Sequence, residues 1–266
     1  MGLKEDFFAK GWAKFPVERR LLEWLEHASP AAMDASEDPG LREDWLRCDG
    51  TWFVGVDALP NDADGRVGAS DPLTCAALDF AREIAGAPVK PLHRGQVSVT
   101  YPGYPRKGRE ESDSAARFRR DRDAAHLDGL LAEGADRRRK MREFHGYILG
   151  LPASYAAPKA APLVVWEGSA AYIQAAFREA FANCPQDQWD QLDLTDLYSA
   201  TRRHIFAECK RVELPALPGE ALVLHRQTLH GVAPWEDGAI VDAEGRAVIY
   251  FRPEYEGGLH EWLAAP

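Results

Sequence analysis

His126 and Asp128 stand two residues apart in the stretch "RDRDAAHLDGLL". In an extended chain, residues i and i+2 project from the same side, so an imidazole and a carboxylate there can converge on one metal ion. The pair alone is weak evidence. With 8 His and 42 Asp+Glu in 266 residues, about one His-x-acid pair arises by chance. A third ligand must come from a different strand, and "LVLHRQTLHGVAPW" offers His225 and His230. His225 lies within the apolar run and reads as a core or rim histidine. His230 closes the run before a glycine, where the backbone can turn and the imidazole can reach inward. Two histidines and one aspartate leave half of an octahedron open, which suits Fe(II) that must bind further ligands and dioxygen.

An arginine is the natural companion of such a centre if a dicarboxylate also binds. In "GRAVIYFRPE", Arg246, Val248, Tyr250 and Arg252 share one face of a strand. An arginine at the head of an apolar strand is costly to bury without an anion, and its fork matches a carboxylate bidentately. Arg246 is preferred because it leads the strand, with Arg252 second. In "GQVSVTYPGYP", Gln96, Ser98 and Thr100 share a face. Either they line a cavity and hydrogen-bond a cosubstrate, or they form the wet face of an edge strand. Tyr147 and Trp166 read as core packing. His93, His145, His204 and His260 have no partner signal and are assigned to structure or surface.

The elements that must hold these residues follow from periodicity and punctuation. "PVERRLLEWLEHA" has helical spacing, and "TWFVGVDAL" is a short β-rich run. "SDPLTCAALDFAREIAGAP" predicts a helix with Asp71 as N-cap and Pro72 at its first position, ending at Gly86–Pro88. From about residue 94 short strands dominate: "GQVSVTYPGYP", "REFHGYILGLPA", "APLVVWEGS", "KRVELPAL", "GEALVLHRQTLHGVAPW" and "GRAVIYFRPE". Two helices interrupt them, "SAAYIQAAFREAFANC" and "DLTDLYSATRRHIFAEC". With no repeat and no low-complexity linker, a single domain over 1–266 is expected. Residues 1–93 are a helical or mixed support, 94–255 a sandwich or barrel core, and about 170–210 a helical insertion.

Composition narrows the function classes. Apolar residues make up 45% and charged residues 28%, an ordinary globular balance. A net charge of −10 opposes nucleic-acid binding, which needs a positive excess. The arginines at 117–122 and 137–142 form either a solvated face or a basic rim that draws in an anionic substrate. Four scattered cysteines disfavour zinc ribbons and disulfide frameworks. No secretory signal and no spanning segment are read, so the expected location is cytoplasmic.

The order His126-x-Asp128, then "APLVVWEGS", then "PGEALVLHRQTLHGVAPW", then an Arg-led strand resembles the phytanoyl-CoA dioxygenase-like group of Fe(II)/2-oxoglutarate oxygenases. The resemblance covers roughly residues 94–255. It includes a Gly-Ser turn after an apolar strand and a Pro-Gly-acid turn before the strand of the distal histidine. It implies a double-stranded β-helix (a cupin-like jelly roll), with Fe(II) on His126, Asp128 and His230, and with 2-oxoglutarate and O2 as cosubstrates. Arg246 would grip 2-oxoglutarate, and the product would be a hydroxylated small organic molecule plus succinate and CO2. Two features depart from the group. Ala170 stands where a histidine often follows the Gly-Ser turn, and "EDGAIVDAEG" looks like an inserted hairpin between His230 and Arg246. Halogenating relatives carry a small residue at the position of Asp128, so its presence indicates a hydroxylase. The helical insertion is the natural substrate lid. The rival reading is a non-redox cupin-like metal- or ligand-binding barrel, which has no need of Arg246. A weaker rival is a nucleic-acid demethylase, suggested by the Arg246/Arg252 spacing and opposed by the net charge.

Overall fold

The computed structural model describes residues 2–266. Its first part runs α1 (Leu3–Lys10), β1 (Trp12–Phe15), α2 (Arg19–Glu37), α3 (Pro39–Trp45), β2 (Leu46–Arg47), β3 (Trp52–Gly55) and α4 (Ala76–Ala85). Then come β4 (Gln96–Thr100), α5 (Asp113–Asp121), β5 (Leu130–Glu133), β6 (Arg138–Met141), β7 (Tyr147–Pro152) and β8 (Leu163–Trp166). Helices α6 (Ser169–Ala182) and α7 (Thr195–Glu208) flank a 3-10 turn, Gln186–Gln191. The chain ends with β9 (Arg211–Leu214), β10 (Ala221–His225), β11 (His230–Val232), β12 (Arg246–Phe251) and α8 (Gly258–Ala264). No helix among the described residues is long and apolar enough to cross a membrane.

Seven strands form one antiparallel sheet in the order β1-β10-β7-β12-β4-β3-β2, and β11-β8-β9 form a second. The first third of the chain thus supplies both edges of the large sheet. Strand β4 pairs with β12 on one side and β3 on the other, so its polar face is not that of an edge strand.

Period-2 alternation sorts the large sheet into two buried faces. Val97, Val99, Leu149, Leu151, Val223 and Ile249 pack outward against the N-terminal helices. Ile148, Leu222 and Leu224 pack inward against Leu163, Val165 and Leu214 of the small sheet. Strands covered on both faces read as continuous apolar runs, which is the character of "YILGLP", "LVVW" and "ALVLH". Each side chain so enclosed contributes about 1.5–3 kcal/mol from burial.

Local signals set some helix ends, and at α4 the N-terminal signal and the structure differ. Helix α4 ends at Gly86 in the left-handed conformation, where glycine carries no Cβ penalty. It does not begin at Asp71–Pro72. It begins at Ala76, whose amide donates to Glu18 Oε1 at 2.8 Å. A carboxylate from the start of α2 replaces the local cap, so the segment before Cys75 is free to run extended. The "EDGAIVDAEG" segment is likewise not a hairpin. It is a loop tied to the 153–161 segment, with Val241 bridged to Ala156 and Ala157 N–H donating to Ile240 O.

Candidate metal centre and cosubstrate pocket

His126, Asp128 and His230 meet between the two sheets. Asp128 Oδ1 lies 3.3 Å from His126 Nε2 and 3.6 Å from His230 Nε2. One ligand atom from each residue falls within 4.8 Å of the others. His126 Nδ1 is 3.1 Å from the Ala124 carbonyl, and His230 Nδ1 is 2.9 Å from the Thr228 carbonyl. A carbonyl only accepts, so both Nδ1 atoms carry the proton and both Nε2 lone pairs face Asp128. Two Nε2 atoms and a carboxylate oxygen converging on one point form a donor set that could hold a metal ion.

The backbone brings the two histidines together directly. His126 N–H donates to His230 O at 2.8 Å, and His230 N–H to His126 O at 3.2 Å. The glycine after His230 does not make a turn; it lies inside β11. A Cβ at Gly231 would stand 2.1 Å from Asp123 O, so glycine is what lets the His126 segment approach. Asp123 itself was not singled out from sequence. It is buried, and it accepts two bonds of 2.7 Å from Arg211 on β9, which fastens the loop before His126 to the small sheet. The partner lies 88 residues away, so no local pattern reports the pair.

Electrostatics favour a ligand set ready for metal. Burial pushes the Asp128 carboxyl upward, but Arg252, His230 and His126 outweigh it and hold the group well below the usual carboxylate range. Burial lowers His230 to about 4, against an upward pull from Asp128. The aspartate is therefore charged, and His230 neutral, throughout the neutral range.

The two arginines of β12 have different surroundings. Arg252 Nη1 donates to Asp128 Oδ2 at 3.1 Å and Nη2 to Gln96 Oε1 at 2.6 Å. Oδ2 is thereby turned away from the histidines, leaving Oδ1 to face them. His93 Nε2 accepts from the Arg252 amide at 2.8 Å, and His145 Nδ1 donates to its carbonyl at 2.7 Å. Arg246 is buried, with 8% exposed, and forms no ion pair among the described residues. Its positive charge acts on Tyr250 along the same strand face, where burial pushes the phenol pKa up and Arg246 opposes it. The Tyr250 ring lies so close over Gly150 that a Cβ there would be 2.9 Å away. Directly across the strand pair is Thr100, whose buried hydroxyl has no partner. A buried cation and an orphaned hydroxyl side by side fit a carboxylate.

His126, Asp128, His230 and Arg252 line a cavity of roughly 330 Å³, within the range of small-molecule sites, and Arg246 and Thr100 lie behind its Tyr250 wall rather than on it. Gln96 and Ser98 line it, with Trp52, Tyr250 and Arg252. Tyr147 and Trp166 pack in the core away from it, and His204 and His260 contact Tyr172 and Trp189. No residue of the helical insertion lines the cavity; the β5–β6 hairpin does, through Leu130, Leu131 and Arg139. Nor do the arginine runs form a free basic rim. Arg119 pairs with Glu111, Arg120 with Asp121, Arg138 with Asp193 and Asp196, and Arg142 with Glu133.

Two facing antiparallel sheets with their ligands at one mouth decide the architecture. It is a double-stranded β-helix. No protein-family model matches the chain, and no curated protein does. Solved structures do share its fold. A non-heme alpha ketoglutarate dependent carbocyclase, SnoK from nogalamycin biosynthesis, aligns with a TM-score of 0.52 and 13% identity, covering 97% of this chain and 87% of that one. The non-heme alpha ketoglutarate dependent epimerase SnoN, from the same biosynthesis, gives 0.50 and 13%, with 97% and 84% covered. At such identity the shared property is the double-stranded β-helix itself.

Proposed function

We propose that this chain is an Fe(II)- and 2-oxoglutarate-dependent dioxygenase that hydroxylates a small organic metabolite with release of succinate and CO2. The observation that carries the reading is the convergence of His126, Asp128 and His230 on one point beside a cavity, with a buried arginine on the neighbouring strand β12. The three side chains offer a donor set for a metal ion, and Arg246, buried opposite the Thr100 hydroxyl, offers one for a carboxylate. The order of these residues is that of the phytanoyl-CoA dioxygenase-like group, and the two neighbours named above are described as alpha ketoglutarate dependent. A barrel that only bound metal would have no use for a buried, unpaired Arg246.

In this reading His126, Asp128 and His230 hold the iron, and Arg246 with Thr100 holds the distal carboxylate of 2-oxoglutarate. Bound iron would supply oxygen activation coupled to oxidative decarboxylation of 2-oxoglutarate. The chain's own part is positioning. Arg252 keeps Asp128 charged and presents one of its oxygens, and Gln96 in turn orients Arg252. The Ala124 and Thr228 carbonyls fix the imidazole tautomers. Ile148, Leu163 and Leu224 make the cavity wall apolar and exclude water.

The test is succinate formation from 2-oxoglutarate by the protein supplied with Fe(II) and ascorbate, in the presence of candidate substrates. Turnover that requires Fe(II) and vanishes in Asp128→Ala is expected. Tight Fe(II) binding with no succinate under any condition would move the assignment to the non-redox barrel.

A further inference from the structure

We propose that Arg139 selects the substrate, by binding an anionic group carried on an otherwise apolar molecule whose other end lies at the metal centre. The inference rests on the oxygenase reading above and adds the substrate class.

Charge accounting in the cavity isolates this residue. Among the described residues that line the cavity, the carboxylates are Asp128 and Glu143 and the permanent cations Arg139 and Arg252. Asp128 is matched by Arg252, and Glu143 is held by His145 Nε2 at 3.0 Å. Arg139 has no opposite charge in contact. Of its five side-chain N–H donors, one has an acceptor, the Leu130 carbonyl at 3.4 Å. The neighbouring arginines on the hairpin and helix α5 show that this is not a general feature, since most of them are paired.

The surroundings hold the guanidinium in place without satisfying it. Its face lies over the Tyr198 ring at 5.5 Å, and Arg202 lies over the same ring at 5.2 Å, likewise without an ion pair. The backbone is pinned on both sides: Arg139 N–H donates to Thr195 Oγ1 at 2.7 Å, and Leu194 N–H to Arg139 O at 2.9 Å. Burial, with the like charges of Arg202 and Arg137 adding to it and Tyr198 opposing, presses the Arg139 pKa down. An anion would relieve that cost, and charge-assisted bonds to a carboxylate or phosphoryl are the strong ones. The cavity that Arg139 shares with the two histidines is also lined by Leu127, Leu130, Leu163 and Val232, which suits an aliphatic or ring body. The helical insertion therefore acts on selectivity indirectly, by fixing the hairpin that carries Arg139.

Four probes with one alkyl chain test this: n-hexanoate, n-hexyl phosphate, n-hexanol and n-hexylamine, titrated calorimetrically into the full chain with Mn(II) and 2-oxoglutarate present. Both anions, or one of them, should bind more tightly than hexanol and hexylamine, and the tighter names the headgroup. Arg139→Gln should weaken the preferred anion about tenfold or more, leaving hexanol unchanged. Arg139→Lys, which keeps the charge, should recover most of the affinity. Equal anion affinity in the wild type and Arg139→Gln, or no preference for an anion in the wild type, overturns the proposal. The affinity for 2-oxoglutarate is the separate control. It should be unaffected by Arg139→Gln, and failure of the wild type to bind it would count against the oxygenase reading instead.

Discussion

Two buried histidine–arginine clusters lie close together along the chain, and only one faces the cavity of the proposed site. At the end of β10, His225 and Arg226 are 4% and 2% exposed. His225 Nδ1 accepts from the Gln227 amide at 3.1 Å, and Nε2 donates to Pro266 O at 3.1 Å. Arg226 donates to the carbonyls of Trp262, Ala265 and Pro266 at 2.7–3.0 Å and lies over the Tyr255 ring. Every one of these interactions is internal. Five residues from His225, His230 has one nitrogen satisfied and the other aimed, with His126, at Asp128. Burial is common to both clusters, so burial does not mark function. Unmet bonding capacity that faces a cavity does.

The comparison predicts opposite outcomes for equivalent substitutions. His230→Ala removes a ligand and should lower metal affinity by on the order of a hundredfold or more, beyond the ~10–100-fold typical of outer-sphere changes. Calorimetry with Fe(II) under anaerobic conditions reads it, and the melting temperature should hardly fall. Arg226→Met should do the reverse. The loss leaves Trp262 O without a side-chain donor, whereas Pro266 O keeps His225 and Ala265 O keeps Arg178. It costs about 1–3 kcal/mol in urea unfolding, while metal affinity in the folded protein stays at the wild-type value. Arg246→Ala should weaken 2-oxoglutarate by about 2–3 kcal/mol, with Fe(II) binding intact. A larger loss in Arg252→Ala than in Arg246→Ala would exchange the roles of the two arginines. Arg252→Gln should itself lower metal affinity about tenfold or more, because Asp128 Oδ2 loses its partner.

The smallest effect concerns acid stability. Burial, with Arg226 beside it, depresses the His225 pKa to about 3, against an ordinary value of about 6.5. The unfolded chain therefore binds the proton first. The stability this neutral histidine contributes is fully present above about pH 6.5 and declines as pH falls toward 3. In His225→Gln, urea midpoints should depend less steeply on pH across that window. An unchanged slope would show that His225 is not what sets it.

Much of this was legible in the sequence, and the exceptions share a cause. His126, Asp128 and His230 could be picked out because a ligand triad leaves residue types at interpretable spacing. The inward strands announced themselves as apolar runs. The start of α4, the Asp123–Arg211 pair and the bracing of Arg252 by His93 and His145 were hidden, since each depends on a partner tens of residues away. The arginine runs misled for the same reason. Composition gives their charge, but only the fold shows that Arg138 meets Asp193 and Asp196 while Arg139 meets no carboxylate. The insertion reads from sequence as a lid, whereas in the fold its helices support the hairpin that borders the cavity.

The most direct test is an anaerobic titration of the metal-free protein, first with Fe(II) and then with 2-oxoglutarate. Chelation of an iron in an open facial triad by a 2-oxo acid gives a weak visible charge-transfer band. We expect the band in the wild type, its loss in His126→Ala and its appearance only at much higher 2-oxoglutarate in Arg246→Ala. Stoichiometric Fe(II) binding with no band at saturating 2-oxoglutarate would contradict the central claim that metal and dicarboxylate share this pocket.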